Sequence, residues 1–315
     1  MSTPTRLAAG TSMGAVTLNV ADLDAMTAYY RDGVGLSVLE QAGPQVTLGR
    51  PGRPAVVLVH TPGLRHASPR DAGLFHTAIL FDTEAALASA VYSVARLRPG
   101  SFTGSSDHLV SKAFYFDDPE GNGVELYWDR DRTQWSWTHG RVEMNTLFLD
   151  PNAFLRDHLD ERGLAGEPIG DARVGHIHLS VGDVETARDF YSTKLGFDVT
   201  LSLGDQAVFV SAGGYHHHMA MNVWNSRGAG RRRQTLGLGR VDIEVPSPDD
   251  VGELTERMRH YRVPVRDDGR TVAFEDPWAN AVRLSVAATP PATAETPTPE
   301  PGPEAEPTGT GPDQD

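Results

Sequence analysis

Twelve histidines and no cysteine set the terms on which this chain could hold a metal or move a proton. Without thiols there are no disulfides, thiolate zinc sites, iron–sulfur clusters or cysteine nucleophile, so any metal has to be bound by His, Asp or Glu. Three histidines stand in a run, His216, His217 and His218, after Gly213-Gly214-Tyr215, where two glycines let the backbone approach a ligand closely or simply turn the chain. His176 and His178 alternate in VGHIHLSV and so share one face of an extended segment. His76 is alone in the apolar FHTAILF, where an isolated histidine is more often a hydrogen-bonded core residue than a ligand. Glu125 sits between Val124 and Leu126, a setting that any alternating strand also gives. The remaining histidines, His60, His66, His139, His158 and His260, read as surface or core.

The elements that must position these residues emerge from internal repeats. NVADLDAMTAYYRDGVGLSV (19–38) matches SVGDVETARDFYSTKLGFDV (180–199) at an offset of 161: an alternating strand, a capping Asp, an amphipathic helix with an aromatic pair, and a Gly stop. FYFDDPEGNGVELY (114–127) matches VAFEDPWANAVRLS (272–285) at an offset of 158, each a strand, an Asp-Pro turn and a strand. Four units follow, about 12–62, 72–130, 172–226 and 237–287, each reading as a strand, a helix and then several strands.

This pattern resembles the vicinal oxygen chelate superfamily, built from paired βαβββ modules that form a cupped sheet. Within it, FHTAILF, SDHLVSKAFYFDDPEGNGVELYWDR, VGHIHLSV and SAGGYHHHMAMNVWN are similar to the catechol-2,3-dioxygenase-like ring-cleavage proteins of bacteria. The resemblance implies an α+β fold of four βαβββ modules of the glyoxalase/extradiol dioxygenase type in cupped mixed sheets. The chain then divides into an N-terminal arm (1–11), a domain of modules one and two (12–130), a linker (131–171), a domain of modules three and four (172–287) and a tail (288–315). The tail holds eight prolines and six acidic residues with no aromatic or large aliphatic side chain, the composition of a disordered segment.

In such folds a metal is held on the concave face by the first and last strands of two modules. The second module offers His76 and Glu125 and the third His176, whereas the repeat offsets place Ala15 opposite His176 and Arg283 opposite Glu125 in the outer modules. The resemblance therefore implies a metal site of His76, Glu125 and His176 in the middle modules. Two imidazoles and a carboxylate suit non-haem Fe(II), with Mn(II) next, while ligand type alone leaves Zn(II) or Ni(II) open. The resemblance also implies an acid–base histidine just before the last strand of the third module. Strand alternation puts His216 and His218 on one face and His217 on the other; the family pattern favours His217, with His218 as the neighbouring register. Tyr115 matches a tyrosine that bonds a catechol oxygen, His108 a second histidine on the substrate side, and His178 lines the cup with His218. Phe114, Trp128, Phe209 and Trp224 are expected to shape the pocket, and Trp135 and Trp137 to pack the linker.

The implied activity is Fe(II)-dependent extradiol cleavage of a catechol by O2. Two alternatives share the fold: a glyoxalase-like isomerase on Zn(II) or Ni(II), with His216 or His218 as a fourth ligand, and a metal-free binding protein. A net charge of −14 with only 28 Lys and Arg argues against a nucleic-acid surface. The opening MSTPTRLAAGTSMG lacks signal-peptide regions and no apolar run reaches the ~20 residues of a membrane span, so a cytoplasmic protein is expected, and a homo-oligomer would be common for this fold.

Overall fold

The structure is a computed structural model describing residues 6–138, 141–167 and 170–287. The tail (288–315), the first five residues of the arm, and His139 lie outside the described residues. All four units share one order of elements. The first runs Ser12–Val20, helix Leu23–Ala28, then Ser37–Ala42, Gln45–Arg50 and Arg53–His60. The second runs Gly73–Phe81, helix Glu84–Leu97, then Phe102–Asp107, Ser111–Asp117 and Gly123–Asp129. The third runs Ala172–Ser180, helix Val184–Arg188, then Asp198–Leu203, Ala207–Ser211 and Met219–Asn222. The fourth runs Gly237–Val245, helix Pro248–His260, then Val265–Asp267, Thr271–Glu275 and Ala281–Val286. The expected α+β fold of four βαβββ modules is therefore present.

Each helix starts where a short polar side chain satisfies an orphan N–H. Asp22, Thr83, Asp183 and Ser247 accept from the backbone of Ala25, Ala86, Thr186 and Asp250. The first and third helices both continue into a π-helical turn, Tyr29–Gly33 and Asp189–Lys194. Through that turn Tyr30 donates to Asp118 Oδ2 at 3.3 Å and Tyr191 to Asp276 Oδ2 at 3.0 Å. Each Asp-Pro turn of an even-numbered module is thus clamped by the helix of the preceding module.

The modules do not form sheets in chain order. In each module the first strand pairs in parallel with the last, and the first strands of two modules then meet antiparallel. Ser12–Val20 pairs with Gly237–Val245, joining modules one and four in an eight-stranded sheet. Gly73–Phe81 pairs with Ala172–Ser180, joining modules two and three in a nine-stranded sheet with Leu147–Phe148 at one edge and Asp198–Leu203 at the other. Each sheet accordingly takes one module from 12–130 and one from 172–287. The four first strands occupy the central positions of the two sheets and are buried along most of their length. Arg6 and Leu7 are docked on the third module, with Leu7 N–H donating to the Gly196 carbonyl and Arg6 to the carbonyls of Ser192 and Phe197. No helix among the described residues is long and apolar enough to cross a membrane.

Burial pushes the Asp118 carboxyl up from 3.8 to about 6, against the hydrogen bonds from Asn122, Glu120 and Tyr30. The folded state then holds this proton more tightly than the unfolded chain. The stability contributed by that proton is complete below about pH 4 and is lost as the pH rises through about 6, an effect on the order of 3 kcal/mol. Urea unfolding of wild type and Asp118→Asn across pH 4 to 7 should show the wild type losing stability relative to the variant by about that amount, and a constant difference would contradict it.

Candidate metal centre

The site lies where the two central strands of the nine-stranded sheet cross the last strand of module two. Tyr115 is the register partner of Glu125, Ala78 lies beside Glu125 on its other side, and Ala78 is in turn the partner of His176. These four residues form one row across four strands, in which the methyl of Ala78 leaves open space between the carboxylate and the imidazole. His76 comes from the adjacent row, where it faces His178. Register shifts on both sides of His176 and His178 mark β-bulges, which re-aim side chains locally.

One nitrogen each from His76 and His176 and one oxygen from Glu125 lie within 4.8 Å of one another, all buried. Among the described residues no other His, Asp or Glu set comes together in this way. His176 Nε2 donates to Glu125 Oε2 at 3.1 Å, and His76 Nε2 is 2.9 Å from the same oxygen. That second approach lacks hydrogen-bond geometry, so His76 Nε2 is a buried polar atom without a partner. A divalent cation between the three side chains would satisfy it, and the donor set, borderline nitrogen and hard oxygen without sulfur, fits Fe(II) or Mn(II). Burial pushes the Glu125 carboxyl up, but His176 and then His76 outweigh it and hold the group well below the usual carboxylate range. It is therefore present as an anion.

A second chain of hydrogen bonds runs beside the first. Asp129 lies four residues beyond Glu125 in the same strand. Its Oδ1 accepts from His216 Nε2 at 3.0 Å and its Oδ2 from the Tyr215 hydroxyl at 2.7 Å. His216 Nδ1 is 2.8 Å from His217 Nδ1. In the tautomer where His216 donates from Nε2 to Asp129 and accepts at Nδ1, His217 donates from Nδ1 and keeps an unprotonated Nε2. The His217 ring lies 4.1 Å from that of His176, centroid to centroid. Burial foremost, then the neighbouring His176 and His216, holds its imidazole well below the ordinary histidine value. On the other side, His108 Nδ1 donates to the Asn145 carbonyl and its Nε2 accepts from the Tyr115 hydroxyl, both at 2.8 Å. Burial, then Glu125, raises the Tyr115 phenol well above its ordinary value and keeps it protonated.

These groups open on a cavity of about 650 Å³. Its lining includes polar residues, among them Ser106, His108, Ser111, Tyr115, Asn145 and Thr146, and apolar ones, among them Phe75, Leu201, Leu203, Phe209 and Trp224. His76, Glu125, His176, His178, His216 and His217 line it as well. The His178 ring is fixed by Asn222, whose Nδ2 donates to its Nε2 at 3.0 Å.

Several expectations need correction. His218 does not line the cavity, because its Nδ1 accepts from the Ala212 N–H at 3.2 Å and its ring turns toward Phe197 and Tyr215. Burial pushes its imidazole down to about 3. Strand alternation does not govern the histidine run, since the strand begins only at Met219, and the irregular loop lets His216 and His217 both face inward. Neither candidate for a fourth ligand is free: His216 is held by Asp129 and His217, and His218 by the backbone. Phe114 is buried core packed on Phe154, and Trp128 points to Lys112 on the face away from Glu125, so neither shapes the pocket. Trp135 packs with Val110, Val142 and Tyr215 as expected of a linker residue, while Trp137 is half exposed. Sequence reasoning missed Asp129, Tyr127 and the Met144–Thr146 stretch of the linker. Alternation alone would have found the first two, since Glu125, Tyr127 and Asp129 share one strand face. In the other sheet, Arg283 and Arg240 both pair with Asp242, at 2.5 and 2.6 Å, so a salt-bridge cluster occupies the corresponding centre.

Comparison with known proteins agrees with this architecture. The family described as Glyoxalase/Bleomycin resistance protein/Dioxygenase superfamily matches residues 12–126 and 173–284. The chain is similar to the catechol-2,3-dioxygenase of Bacillus subtilis, with 33% identity over 86% of this chain and 95% of that protein. It also matches the 3-methylcatechol 2,3-dioxygenase of Pseudomonas putida at 29% identity over 49% of this chain and 46% of that one. In fold it is similar to glyoxalase I from Zea mays, with a TM-score of 0.54, 16% identity, and 88% and 92% of the two chains covered.

His76→Ala and Glu125→Ala should each fold and lose divalent-metal affinity by more than about a hundredfold, beyond the 10–100-fold typical of residues that merely support a ligand. Metal titration followed by elemental analysis checks this, and stoichiometric metal in either variant would contradict it. Gly175 precedes His176 at the bulge, and a Cβ there would collide with the buried Tyr127 hydroxyl. Gly175→Ala should therefore cost about 2 kcal/mol or more, and adding Tyr127→Phe should restore part of it in chemical denaturation.

Proposed function

This chain belongs to the glyoxalase/bleomycin resistance protein/dioxygenase superfamily, and on that premise we propose that it is an extradiol ring-cleavage dioxygenase that opens a catechol-type ring with O2. The observation that carries the reading is the buried cluster of His76, Glu125 and His176, with the unpartnered His76 nitrogen inside it, at the floor of a cavity walled by proton-carrying groups. The names of the two catechol dioxygenases to which the chain is similar support the same chemistry. The resident metal is read as Fe(II), with Mn(II) compatible with the same ligands. Bound there, it supplies a place to hold a catecholate beside dioxygen and a path for electron density between them.

The protein's own part is positioning and proton transfer. His217 presents its free Nε2 to the cavity and takes a proton from a catechol hydroxyl; the Asp129–His216 chain behind it stabilises the imidazolium and keeps that nitrogen pointing inward. Tyr115 directs its own proton to His108 Nε2, so its oxygen is available to accept from the other hydroxyl. His217 then returns its proton as the ring opens. The carbon–carbon bond next to the diol breaks, both atoms of O2 are retained, and catechol itself gives 2-hydroxymuconic semialdehyde, which is yellow. A glyoxalase-like isomerase would be expected to draw a fourth ligand from His216 or His218, and both are engaged elsewhere.

The test is oxygen uptake and yellow product with catechol, using protein loaded anaerobically with Fe(II), Mn(II), Zn(II) or Ni(II) in parallel. Turnover should require Fe(II) or Mn(II), fall about 10²–10⁴-fold in His217→Ala and about tenfold in Tyr115→Phe. Tight metal binding without oxygen uptake for any catechol would overturn the proposal.

A further inference from the structure

The apolar wall of the cavity is larger than ring cleavage of catechol itself requires. A cavity of roughly 150 Å³ accommodates a benzene ring, whereas this one measures about 650 Å³. The polar groups that could meet two catechol oxygens, namely the three metal-site residues, Tyr115, His108 and His217, gather at one part of it. The rest of the lining includes the apolar Phe75, Leu201, Leu203, Phe209 and Trp224 beside uncharged hydroxyl and amide groups such as those of Ser106 and Asn145. Phe75 and Trp224 meet edge to face at 5.2 Å, and both pack on the His178 ring, forming a continuous aromatic surface next to the metal-site strand. Of these residues Leu203 and Trp224 remain 45% and 47% exposed. Exposed large apolar side chains at a cavity mouth are a mark of an apolar ligand.

Charge points the same way. Among the described residues no lysine or arginine lines the cavity, and its charged members are the carboxylates Asp117 and Glu125. An anionic substituent entering this space would lose hydration without a lysine or arginine side chain to replace it.

Resting on the ring-cleavage reading above, we propose that the substrates are catechols carrying an uncharged, apolar substituent of several carbons, alkyl or aryl, seated on the Phe75–Phe209–Trp224 wall, and that carboxylated catechols are excluded. Binding gains about fourfold for each buried methylene, so propylcatechol and phenylcatechol should each bind at least about tenfold more tightly than catechol.

Anaerobic calorimetry on Fe(II)-loaded protein with catechol, propylcatechol, phenylcatechol and a catechol carboxylate measures this without turnover. The expected order is phenyl- and propylcatechol first, catechol next, and the carboxylate last by a further tenfold or more. Leu203→Arg, at an exposed position that tolerates a long polar chain, should shift the preference between propylcatechol and the carboxylate toward the carboxylate by at least about tenfold. A carboxylate that binds the wild type as well as propylcatechol does, or a preference unchanged in Leu203→Arg, overturns the inference. Selective binding of the apolar catechols with no oxygen consumption would instead overturn the ring-cleavage reading and leave the assignment of the cavity standing.

Discussion

The antiparallel pairing of Gly73–Phe81 with Ala172–Ser180 is the constraint on which the site depends. It brings together two strands roughly a hundred residues apart in the chain and sets His76, His176 and His178 on one surface. Each of these strands has its own module's last strand as a parallel neighbour, which delivers Glu125 from one side and the His216–His217 loop from the other. Neither module alone could assemble the cluster. The module-two half lacks His176, and the module-three half has no carboxylate at the position of Glu125.

Within that frame, one strand organises both the metal ligands and the proton path. Glu125, Tyr127 and Asp129 occupy alternate positions of Gly123–Asp129, so their side chains share a face. The first carboxylate sits between two imidazoles, and the second sits behind a third imidazole and fixes the tautomer of a fourth. Tyr127, between them, bonds to Tyr215 at 2.8 Å and needs the missing side chain of Gly175 for its hydroxyl. Glu125 is buried and Asp129 partly so, and each carboxyl group is matched by histidine partners.

Much of this was legible in the sequence because the relevant signals are local. The capping residues Asp22 and Asp183, the Asp-Pro turns and the strand–helix–strand order follow from the repeats, and the ligand positions follow from matching family motifs onto the second and third modules. What was not legible depends on tertiary context. Pairing of module one with four and of two with three leaves no trace in hydrophobic periodicity, because all four modules repeat the same order of strand, helix and strands. Alternation failed for His216 to His218 because the Gly213-Gly214 turn, with both residues at positive φ, keeps that stretch out of the strand. The linker's share of the cavity, through Met144 to Thr146, arises from a two-residue strand pairing too short to announce itself in sequence.

The interleaving of modules also orders events in time. As the chain leaves the ribosome, Ser12–Val20 finds its parallel neighbour Arg53–His60 early, but its antiparallel partner Gly237–Val245 comes only with the last module. The nine-stranded sheet, by contrast, can close once Met219–Asn222 has been made. Non-local pairings of this kind are slow to form, and the waiting strand presents an unpaired apolar edge in the meantime. The half of the molecule that carries the metal ligands is thus able to mature first, while the half that carries none bears the longer exposure and the greater hazard of pairing with a neighbouring nascent chain.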